Sequence, residues 1–378
     1  MRIVVITEVF LPKIDGVVTR VTRTLDQLAE MDHEVLIVAP GSPPPTYAGF
    51  DVVRVPSVPF WPIYPEIGAG LITPGLFRAI RSFRPDVVHA VNPMWMAGFA
   101  SIVANRMGLP ILASFHTDVP EYTVRLGARW LEKPSRFGIR LFHGQAQVNL
   151  VTSAPMLDKA REYGIPNVQI WPKAVDTVGF HPAKRSRETR AMLSDDHPDA
   201  PLVLFVGRLS AEKSTARTLG IMEALRERVP DARLALVGDG PQGEELRRTM
   251  DRDWITFTGY LSGEQLHAAY ASGDALLFPS TTETLGFAAL EAFASGVPVV
   301  AARAGGLPYV IEDGETGYLV DPDLPDSAWV DPLESVLTDP RRRDEMSRAA
   351  RSEARAWTWR AATERLVELY EQAQAAKQ

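Results

Sequence analysis

Arg208 and Lys213 are the two cations in this sequence whose spacing best fits phosphate chemistry. They stand five residues apart on the segment that follows the buried run Leu202–Val206. An arginine fork and a lysine point charge placed in this way can grip a diphosphate from two sides. Gly207, at the end of the strand, lets the backbone turn closely toward such a ligand. Two solvated cations on a loop remain the alternative interpretation of this motif taken alone.

Glu283 and Glu291 are two carboxylates that follow the predicted strand Asp274–Phe278. They are eight positions apart, which puts Glu283 on a loop and Glu291 about two turns into a helix. Glutamates accept the hydrogen bonds that sugar and ribose hydroxyls donate, so the pair can hold different parts of one ligand. Backbone amides at the helix start, at Leu285, Gly286 and Phe287, can bind phosphate oxygens. The alternative is that Glu291 only solvates its helix, but a carboxylate buried in so apolar a helix needs a partner.

His116 and Gly16 are the candidates in the first half of the chain. His116 follows the run Ile111–Phe115, and ligands of open parallel sheets bind at the carboxyl ends of the strands. A lone histidine is more often structural, but this position favours a functional role. Gly16 stands where the first strand leads into a helix, so a phosphate or sugar can approach the helix N-terminus there. The segment lacks the Gly-Lys-Ser or Gly-Lys-Thr of a P-loop.

Two glycine motifs must be weighed against these candidates. Gly238-Asp-Gly-Pro-Gln-Gly243 matches the dinucleotide-binding pattern, but such a site also needs an acidic residue at the end of the next strand. That strand ends Phe257-Thr-Gly-Tyr260, so the motif lacks the acid that an NAD site needs, and the pattern disfavours such a site. Gly305 and Gly306 allow either close approach of the backbone to a ligand or a tight strand–helix turn. Both interpretations of the paired glycines stay open.

Short apolar runs alternate with helical stretches along the chain, which puts these candidates at strand ends. Continuous Val, Ile and Leu runs suit parallel strands that are buried on both faces. Since the rhythm restarts midway, we predict an α/β fold with two doubly wound, Rossmann-like domains facing each other across a cleft. The predicted strands are Arg2–Ile6, Glu34–Ala39, Asp51–Val55, Asp86–Val91, Ile111–Phe115, Val148–Thr152, Leu202–Val206, Arg233–Val237, Trp254–Thr258, Asp274–Phe278, Val297–Ala301 and Gly317–Val320.

The domain boundary is predicted near residue 175. Asp176–Pro201 is rich in Pro, Arg, Asp and Ser and has little apolar periodicity, which indicates a surface connection. The N-terminal domain then covers residues 1–175 and the C-terminal domain residues 176–356. A helix within residues 357–378 ends the chain, and it must pack on its own domain or back on the first one. We favour packing on the first domain.

Composition bounds the partners and the compartment. The chain has 378 residues, 46% of them apolar and 23% charged, as in ordinary globular proteins. Its net charge of −7 gives no electrostatic reason to expect a nucleic-acid partner. The N-terminus is not a signal peptide and no apolar run is long enough to span a bilayer, so the cytoplasm is the expected location. Without cysteine, disulfides, thiolate nucleophiles and zinc sites of the Cys type are excluded.

One basic stretch and two loops bear on the acceptor. Between Arg125 and Arg140 a cation recurs every three or four residues, alternating with Leu126, Trp130, Leu131, Phe137 and Leu141. If helical, this stretch fits an anionic membrane or an acidic acceptor, although a solvated face is the commoner outcome. Pro134 and Gly138 weaken a continuous helix. Trp61, Tyr64 and Trp95, on the loops Trp61–Gly70 and Asn92–Met96, either line an acceptor site or pack under the loops.

Taken together, these motifs resemble the retaining glycosyltransferases of family 4, which have the two-lobed GT-B fold. The resemblance covers essentially the whole chain. Its most specific parts are Gly207-Arg208 with Lys213, the Glu283 and Glu291 pair, Gly238-Asp-Gly240-Pro, and His116. The first half, through Phe10-Leu-Pro-Lys, Asp15-Gly-Val and His116-Thr-Asp118, is most similar to bacterial α-mannosyltransferases that use GDP-mannose and to sulfoquinovosyl or glycosyl transferases acting on diacylglycerol.

The resemblance implies transfer of a hexose from a GDP- or UDP-linked sugar to a hydroxyl of a lipid, glycan or small metabolite. No cofactor and no metal are implied, and the leaving diphosphate takes the acceptor's proton on the same face of the sugar. The implied roles are diphosphate binding for Arg208 and Lys213, ribose binding for Glu291, sugar binding for Glu283, phosphate approach for Gly16, and contact near the reacting carbon for His116.

One departure and two alternatives accompany this reading. Tyr309 stands where the family usually has an acid after the paired glycines, and we keep the catalytic assignment because that position can be structural. Asp195-Asp196 lies in the predicted connection, so it is a poor metal motif. A non-catalytic module that binds nucleotide sugars predicts binding without turnover. An epimerase on a similar fold predicts consumption of the donor alone and release of a sugar isomer.

Overall fold

The computed structural model describes residues 1–60, 64–125 and 127–377, with the backbone alone at 59–60, 64–67, 122 and 125. The chain divides into two compact units. The first unit is Met1–Pro172 together with Trp359–Gln378, and the second unit is Lys173–Thr358. The boundary predicted near residue 175 lies three residues from this division.

Strands and helices alternate through both units. The strands are β1 Arg2–Thr7, β2 Glu34–Pro40, β3 Thr46–Tyr47, β4 Phe50–Val55, β5 Ser57–Phe60, β6 Tyr64–Gly70, β7 Val87–Val91, β8 Ile111–Phe115, β9 Val148–Val151, β10 Val168–Ile170, β11 Leu202–Val206, β12 Arg233–Val237, β13 Ile255–Gly259, β14 Ala275–Phe278, β15 Val299–Ala302 and β16 Gly317–Val320. The helices are α1 Gly16–Glu30, α2 Pro74–Phe83, α3 Met96–Arg106, α4 Val119–Arg125, α5 Glu132–His143, α6 Ala154–Glu162, α7 Arg187–Leu193, α8 Arg217–Arg226, α9 Gly243–Thr249, α10 Gly263–Ser272, α11 Phe287–Ala294, α12 Leu307–Val310, α13 Val330–Thr338, α14 Pro340–Ala354 and α15 Trp359–Ala375. Short 3₁₀ helices cover Arg129–Leu131, Pro182–Lys184, Ala211–Lys213 and Asp326–Trp329.

The first unit is built on a sheet with the strand order β10-β9-β8-β7-β1-β2-β4-β3. Its strands pair in parallel except for β3, which is antiparallel to β4. The central strands are buried along their length, which explains why they are mainly apolar. The order reverses between β1 and β7, so the loops after these two strands open the crevice where ligands of such sheets bind.

The second unit has a parallel sheet in the order β13-β12-β11-β14-β15-β16. Here the order reverses between β11 and β14. The loop after β11 holds Arg208, and the loop after β14 holds Glu283. Because parallel strands end at the same edge, two segments far apart in sequence meet at the reversal point.

One segment of the second unit differs from its prediction. Asp176–Pro201, expected to be a surface connection, lies within that unit, contains α7 and buries Phe180 and Leu193 in its core. Arg190 of α7 is also buried, and it pairs with Asp274 at 3.0 Å. The apolar residues of this segment are too widely spaced to show a helical period.

The final helix, α15, belongs to the first unit. Leu366 and Tyr370 are fully buried in a core cluster that includes strands β1 and β7. Among the described residues, no helix has the length and apolar character needed to cross a membrane.

Candidate active site

The loop after β11 is tied down by the neighbouring loop after β12. Gly207 has a φ of +153°, its N–H donates to the Val237 carbonyl at 3.0 Å, and the Leu209 N–H donates to Asp239 at 3.0 Å. A Cβ on Gly238 would lie 2.0 Å from the Gly207 carbonyl oxygen. Gly238 and Gly240 of the G-x-G-x-x-G pattern therefore serve close packing against the Arg208 loop, which accounts for these two glycines without a dinucleotide.

Lys213 and Glu283 form the central contact of this site. The Lys213 ammonium lies 2.5 Å from Oε1 of Glu283, with the two side chains 26% and 10% exposed. Lys213 ends the 3₁₀ helix Ala211–Lys213, and Arg208 is half-buried on the same loop. The structure thus brings a predicted phosphate ligand and a predicted sugar ligand together.

The paired glycines Gly305 and Gly306 pack against the Glu283 loop. The Gly306 N–H donates to the Glu283 carbonyl at 2.6 Å. A Cβ on Gly305 would lie 2.3 Å from that carbonyl, and a Cβ on Gly306 would lie 2.3 Å from the Thr284 carbonyl. The paired glycines thus form a tight turn between β15 and α12, packed against the loop that carries Glu283. Approach of their backbone to a ligand stays a prediction.

The segment from Leu285 to Glu291 divides into a buried anchor and a polar face. Leu285 is 2% exposed and lies in the core, while Gly286, at φ +88°, turns the chain into α11, which begins at Phe287. Glu291, half-buried one helix turn further on, accepts a hydrogen bond from the Tyr270 hydroxyl at 2.7 Å. Burial and the Glu291 carboxylate raise the pKa of Tyr270, so Tyr270 stays a neutral donor. The sequence predicted that Glu291 needs a partner, and only the structure identifies it.

In the first unit, His116 is held by buried neutral groups. It is 5% exposed, and its Nε2 lies 2.9 Å from the Ser114 hydroxyl. Burial, with a contribution from the Arg20 charge, lowers the pKa of His116 well below its usual value. The backbone N–H groups of His116 and Thr117 donate to Asn92 Oδ1 at 3.2 and 3.1 Å. His116 is therefore a fixed, neutral ring.

The loops at the reversal point of the first sheet are capped by acidic side chains. Asp15 accepts from the Val18 N–H at 2.9 Å and so caps α1 where Gly16 begins it. Glu8, 5% exposed, accepts from the backbone N–H groups of residues 94 to 97, at 2.7 Å for Trp95 and 2.9 Å for Ala97. This carboxylate organises the start of α3 and with it the Asn92–Met96 loop.

Several positioning residues were missed from the sequence. They are Glu8, Arg20, His89, Asn92, Ser114, Tyr270 and Tyr370. Asn92 has φ +49°, a conformation that asparagine tolerates better than most residues, and its place after a strand was the one available signal. Tyr270 and Tyr370 stand on helices and give no local sign of their hydrogen bonds.

The departure at Tyr309 has a structural explanation. The Lys173 ammonium lies 4.8 Å from the Tyr309 ring centre and 4.1 Å from that of Trp357. It also donates to the Tyr309 carbonyl at 3.2 Å. The tyrosine therefore covers a cation at the beginning of the second unit, where it serves packing.

The basic stretch forms the 3₁₀ helix Arg129–Leu131 and then α5, which continues through Gly138. Pro134 stands at the third position of α5, where its missing N–H breaks no helical bond. Of the basic stretch, Leu126 lies outside the described residues, and Arg125 is described by its backbone alone. Trp61 also lies outside the described residues, Tyr64 has only its backbone described, and Trp95 is 44% exposed.

Two family models match this chain one after the other. The model described as Glycosyltransferase Family 4 matches residues 14–178, and the model described as Glycosyl transferases group 1 matches residues 193–353. Sulfoquinovosyl transferase SQD2 of Arabidopsis thaliana is 38% identical over 362 residues, which are 93% of this chain and 70% of that protein. A GDP-mannose-dependent alpha-mannosyltransferase of Corynebacterium glutamicum is 34% identical over 98% of this chain and 88% of its own length.

Solved structures share the architecture. Sucrose-phosphate synthase from Thermosynechococcus elongatus superimposes with a TM-score of 0.81 at 21% identity, covering 100% of both chains. The glycosyltransferase WaaG, involved in lipopolysaccharide biosynthesis, has a TM-score of 0.75 at 17% identity, with coverage of 97% and 99%. These likenesses confirm the predicted fold class, two Rossmann-like units of the GT-B type.

Proposed function

This chain belongs to the family 4 glycosyltransferases, and on that premise we propose that it moves a hexose from GDP-mannose or a UDP-hexose to an acceptor hydroxyl with retention of configuration. The observation that carries the proposal is the 2.5 Å contact of Lys213 with Glu283 beside Arg208, at the reversal point of the second sheet. Family membership supports transfer over the sugar-binding module and the epimerase.

We assign the donor contacts along the second unit. Arg208 and Lys213 bind the diphosphate, and loss of the glycosidic bond increases the negative charge that they stabilise. Glu283 accepts hydrogen bonds from hydroxyls of the transferred sugar, and Glu291, oriented by Tyr270, accepts them from the ribose. Gly207, Leu285, Gly286 and Phe287 form the backbone around these side chains.

The first unit contributes Gly16 and His116 in this proposal. Gly16 lets the start of α1 approach a donor phosphate, and its N-terminal amides favour negative charge. His116, neutral and fixed, contacts the transferred sugar near the reacting carbon. The leaving diphosphate takes the acceptor's proton, so no side chain is asked to act as nucleophile, and no metal is required.

We further propose that the first unit docks on an anionic membrane carrying a lipid acceptor. Trp130 is 76% exposed, Phe137 70% and Leu141 40%, so the apolar side of the basic stretch faces solvent. Exposed Lys133 and Arg140 lie among them. Large apolar side chains interspersed with cations suit the boundary between lipid headgroups and acyl chains. An acceptor in that layer is a lipid or glycolipid hydroxyl, and the enzyme then works at the membrane surface on the cytoplasmic side.

A nucleotide-sugar panel tests the donor assignment. A ligand at a hundred times its dissociation constant adds about 2.7 kcal/mol to the free energy of unfolding, so thermal shifts report which nucleotide sugar binds. We expect one base to dominate, and turnover of that donor with a diacylglycerol or glycolipid acceptor even when a metal chelator is present. Release of a sugar isomer without transfer, or binding without any release of nucleoside diphosphate, would overturn the proposal.

Vesicle sedimentation tests the membrane assignment. Binding to phosphatidylglycerol vesicles and not to phosphatidylcholine vesicles is expected, with loss of binding in the double variant Trp130→Ser, Phe137→Ser. Val178→Ser is the matched control, because Val178 is 82% exposed in the second unit. Equal sedimentation of the double variant and the control contradicts the assignment.

A further inference from the structure

A chain of hydrogen bonds runs from His116 into the interior of the first unit. His116 Nε2 lies 2.9 Å from Ser114 Oγ, and the same oxygen lies 2.9 Å from His89 Nε2. His89 Nδ1 in turn lies 2.8 Å from the hydroxyl of Tyr370 on α15. Ser114 is 1% exposed, His89 2% and Tyr370 0%, so water does not compete for these bonds.

The donor and the acceptor of each hydrogen bond in this series follow from the position of Tyr370. Among the described residues, the Tyr370 hydroxyl contacts no acceptor other than His89 Nδ1. A buried hydroxyl hydrogen without an acceptor is costly, so Tyr370 donates and His89 carries its proton on Nε2. His89 then donates to Ser114, whose single hydroxyl hydrogen is left to point at His116 Nε2. With Nε2 accepting, His116 holds its proton on Nδ1.

Both rings stay neutral, which this arrangement needs. Burial and the nearby Arg20 charge lower the pKa of His89 to about 3 and that of His116 well below its usual value. The Arg20 guanidinium is itself 1% exposed, stacks 4.1 Å from the Trp171 ring centre and donates to the Pro172 carbonyl at 2.7 Å. His143 also faces His116, and burial lowers its pKa to about 4. No carboxylate contributes to these shifts, so each ring has one proton to place.

We propose that Tyr370, His89 and Ser114 are positioning residues that fix His116 as the Nδ1–H tautomer. Nδ1 has no hydrogen-bond partner among the described residues, so it is the nitrogen left for a ligand. His116 then presents a hydrogen-bond donor to an oxygen of the transferred sugar and cannot act as a base through that atom. The inference rests on the proposed role of His116 toward the sugar. With this role, Tyr370 on the last helix, 254 positions after His116 in the sequence, takes part in donor recognition.

Nitrogen-15 NMR of histidine-labelled full-length protein measures the tautomer directly. The chain has 7 histidines, and a His116→Gln variant assigns the His116 signals. The wild-type protein is expected to show a protonated Nδ1 and an unprotonated Nε2 at His116. A wild-type spectrum with the proton on Nε2 overturns the proposal whatever the enzyme's activity.

Tyr370→Phe removes the first donor of the chain and keeps the ring. We expect the His116 signals to move toward a mixture of tautomers, and kcat to fall on the order of tenfold, the size of one hydrogen bond, with unchanged affinity for free GDP or UDP. Tyr47→Phe is the control, because it makes the same change in the same unit at a tyrosine that does not belong to this series of hydrogen bonds. If Tyr370→Phe does not fold, Ser114→Ala breaks the chain one step nearer to His116, with the same expectation.

Two results are kept apart by this design. Identical spectra and kcat in Tyr370→Phe and Tyr47→Phe overturn the positioning role. If wild-type protein transfers no sugar from any donor, the proposed function fails, and the spectra still decide the tautomer.

Discussion

The two units place different polar groups at the carboxyl ends of their parallel strands. In the second unit, the loops at the reversal point hold ions, and Lys213 pairs with Glu283 where both side chains are partly exposed. In the first unit, His116 follows β8, one strand away from the reversal point, and is a buried ring kept neutral by its surroundings. The difference is therefore one of charge, an ion pair in one unit and a neutral ring in the other.

The cost of burial explains the division. An ion removed from water must be paired, and the pair Lys213 and Glu283 retains access to solvent for a charged ligand. Burying a neutral ring costs less free energy than burying an ion, because no charge is removed from water. Under the proposed function, the diphosphate binds the cations of the second unit, while the neutral His116 contacts a sugar oxygen.

The largest effect is expected from removing the cation of the second unit. Lys213→Ala should lower kcat on the order of a hundredfold or more, judging from the loss of single oxyanion ligands in other enzymes. Lys184→Ala is the matched control, since Lys184 pairs with Glu264 at 2.6 Å on the surface of the same unit. Steady-state kinetics and thermal unfolding of both variants measure the contrast. Wild-type turnover in Lys213→Ala would contradict the proposed role of Lys213 in binding the diphosphate.

Lowering the pH should destabilise the first unit more than the second. Burial lowers the pKa of His89 to about 3 and of His143 to about 4, and that of His116 well below its usual value. The unfolded chain protonates these rings near pH 6.5 and the folded chain does not, so their stabilisation is full above pH 6.5 and is lost as pH falls. For each ring, the free energy of unfolding should fall by about 1 kcal/mol between pH 7 and pH 5.5.

The second unit should resist this change. Its buried Asp274 has its pKa lowered by Arg190, so the stability it contributes persists until pH falls through the ordinary carboxyl range. His181 of this unit, whose pKa is also lowered by burial, is half-buried and adds a smaller effect of the same sign. Peptide-resolved hydrogen exchange at the two pH values, corrected for intrinsic rates, checks the contrast. Equal loss of protection in both units is the contrary outcome.

The two glutamates of the second unit should divide its ligand between them. Glu283→Gln should lower use of the donor sugar about tenfold while binding of free GDP or UDP is kept, because only the sugar contact is weakened. Glu291→Gln should weaken the free nucleotide about tenfold, since the ribose contact and the Tyr270 bond both change. Calorimetric titration of nucleotide and nucleotide sugar distinguishes them. Parallel losses in the two variants would contradict separate roles.

The smallest effect concerns the scaffold of the first unit. Glu8→Gln replaces one of two oxygens that accept from the start of α3, so the free energy of unfolding should fall by about 1 kcal/mol. Glu34→Gln is the control, with a side chain 67% exposed and 3.6 Å from Arg2. Urea unfolding measures both variants. A Glu8 variant as stable as the control would show that the loop needs no carboxylate.

Local patterns determined much of the architecture. The strands Ile111–Phe115, Leu202–Val206 and Arg233–Val237 have the predicted bounds, because strands buried on both faces are mainly apolar and stand out from their flanks. The charged motifs were also readable, since Arg208, Lys213 and Glu283 lie at strand ends that the pattern itself identifies. The family and the fold followed from these residues and were confirmed by the comparisons.

Contacts between distant segments were decided by tertiary structure alone. Tyr270 as the partner of Glu291, Tyr370 as the origin of the His116 chain, and the glycines that press against the Glu283 loop leave no periodic trace. Such contacts depend on how helices pack on a sheet, which one-dimensional spacing does not encode. The sequence thus identifies the charged candidates Arg208, Lys213 and Glu283 at strand ends. The packing of the fold decides which uncharged side chains, such as Tyr270 and Tyr370, become hydrogen-bond partners of site residues.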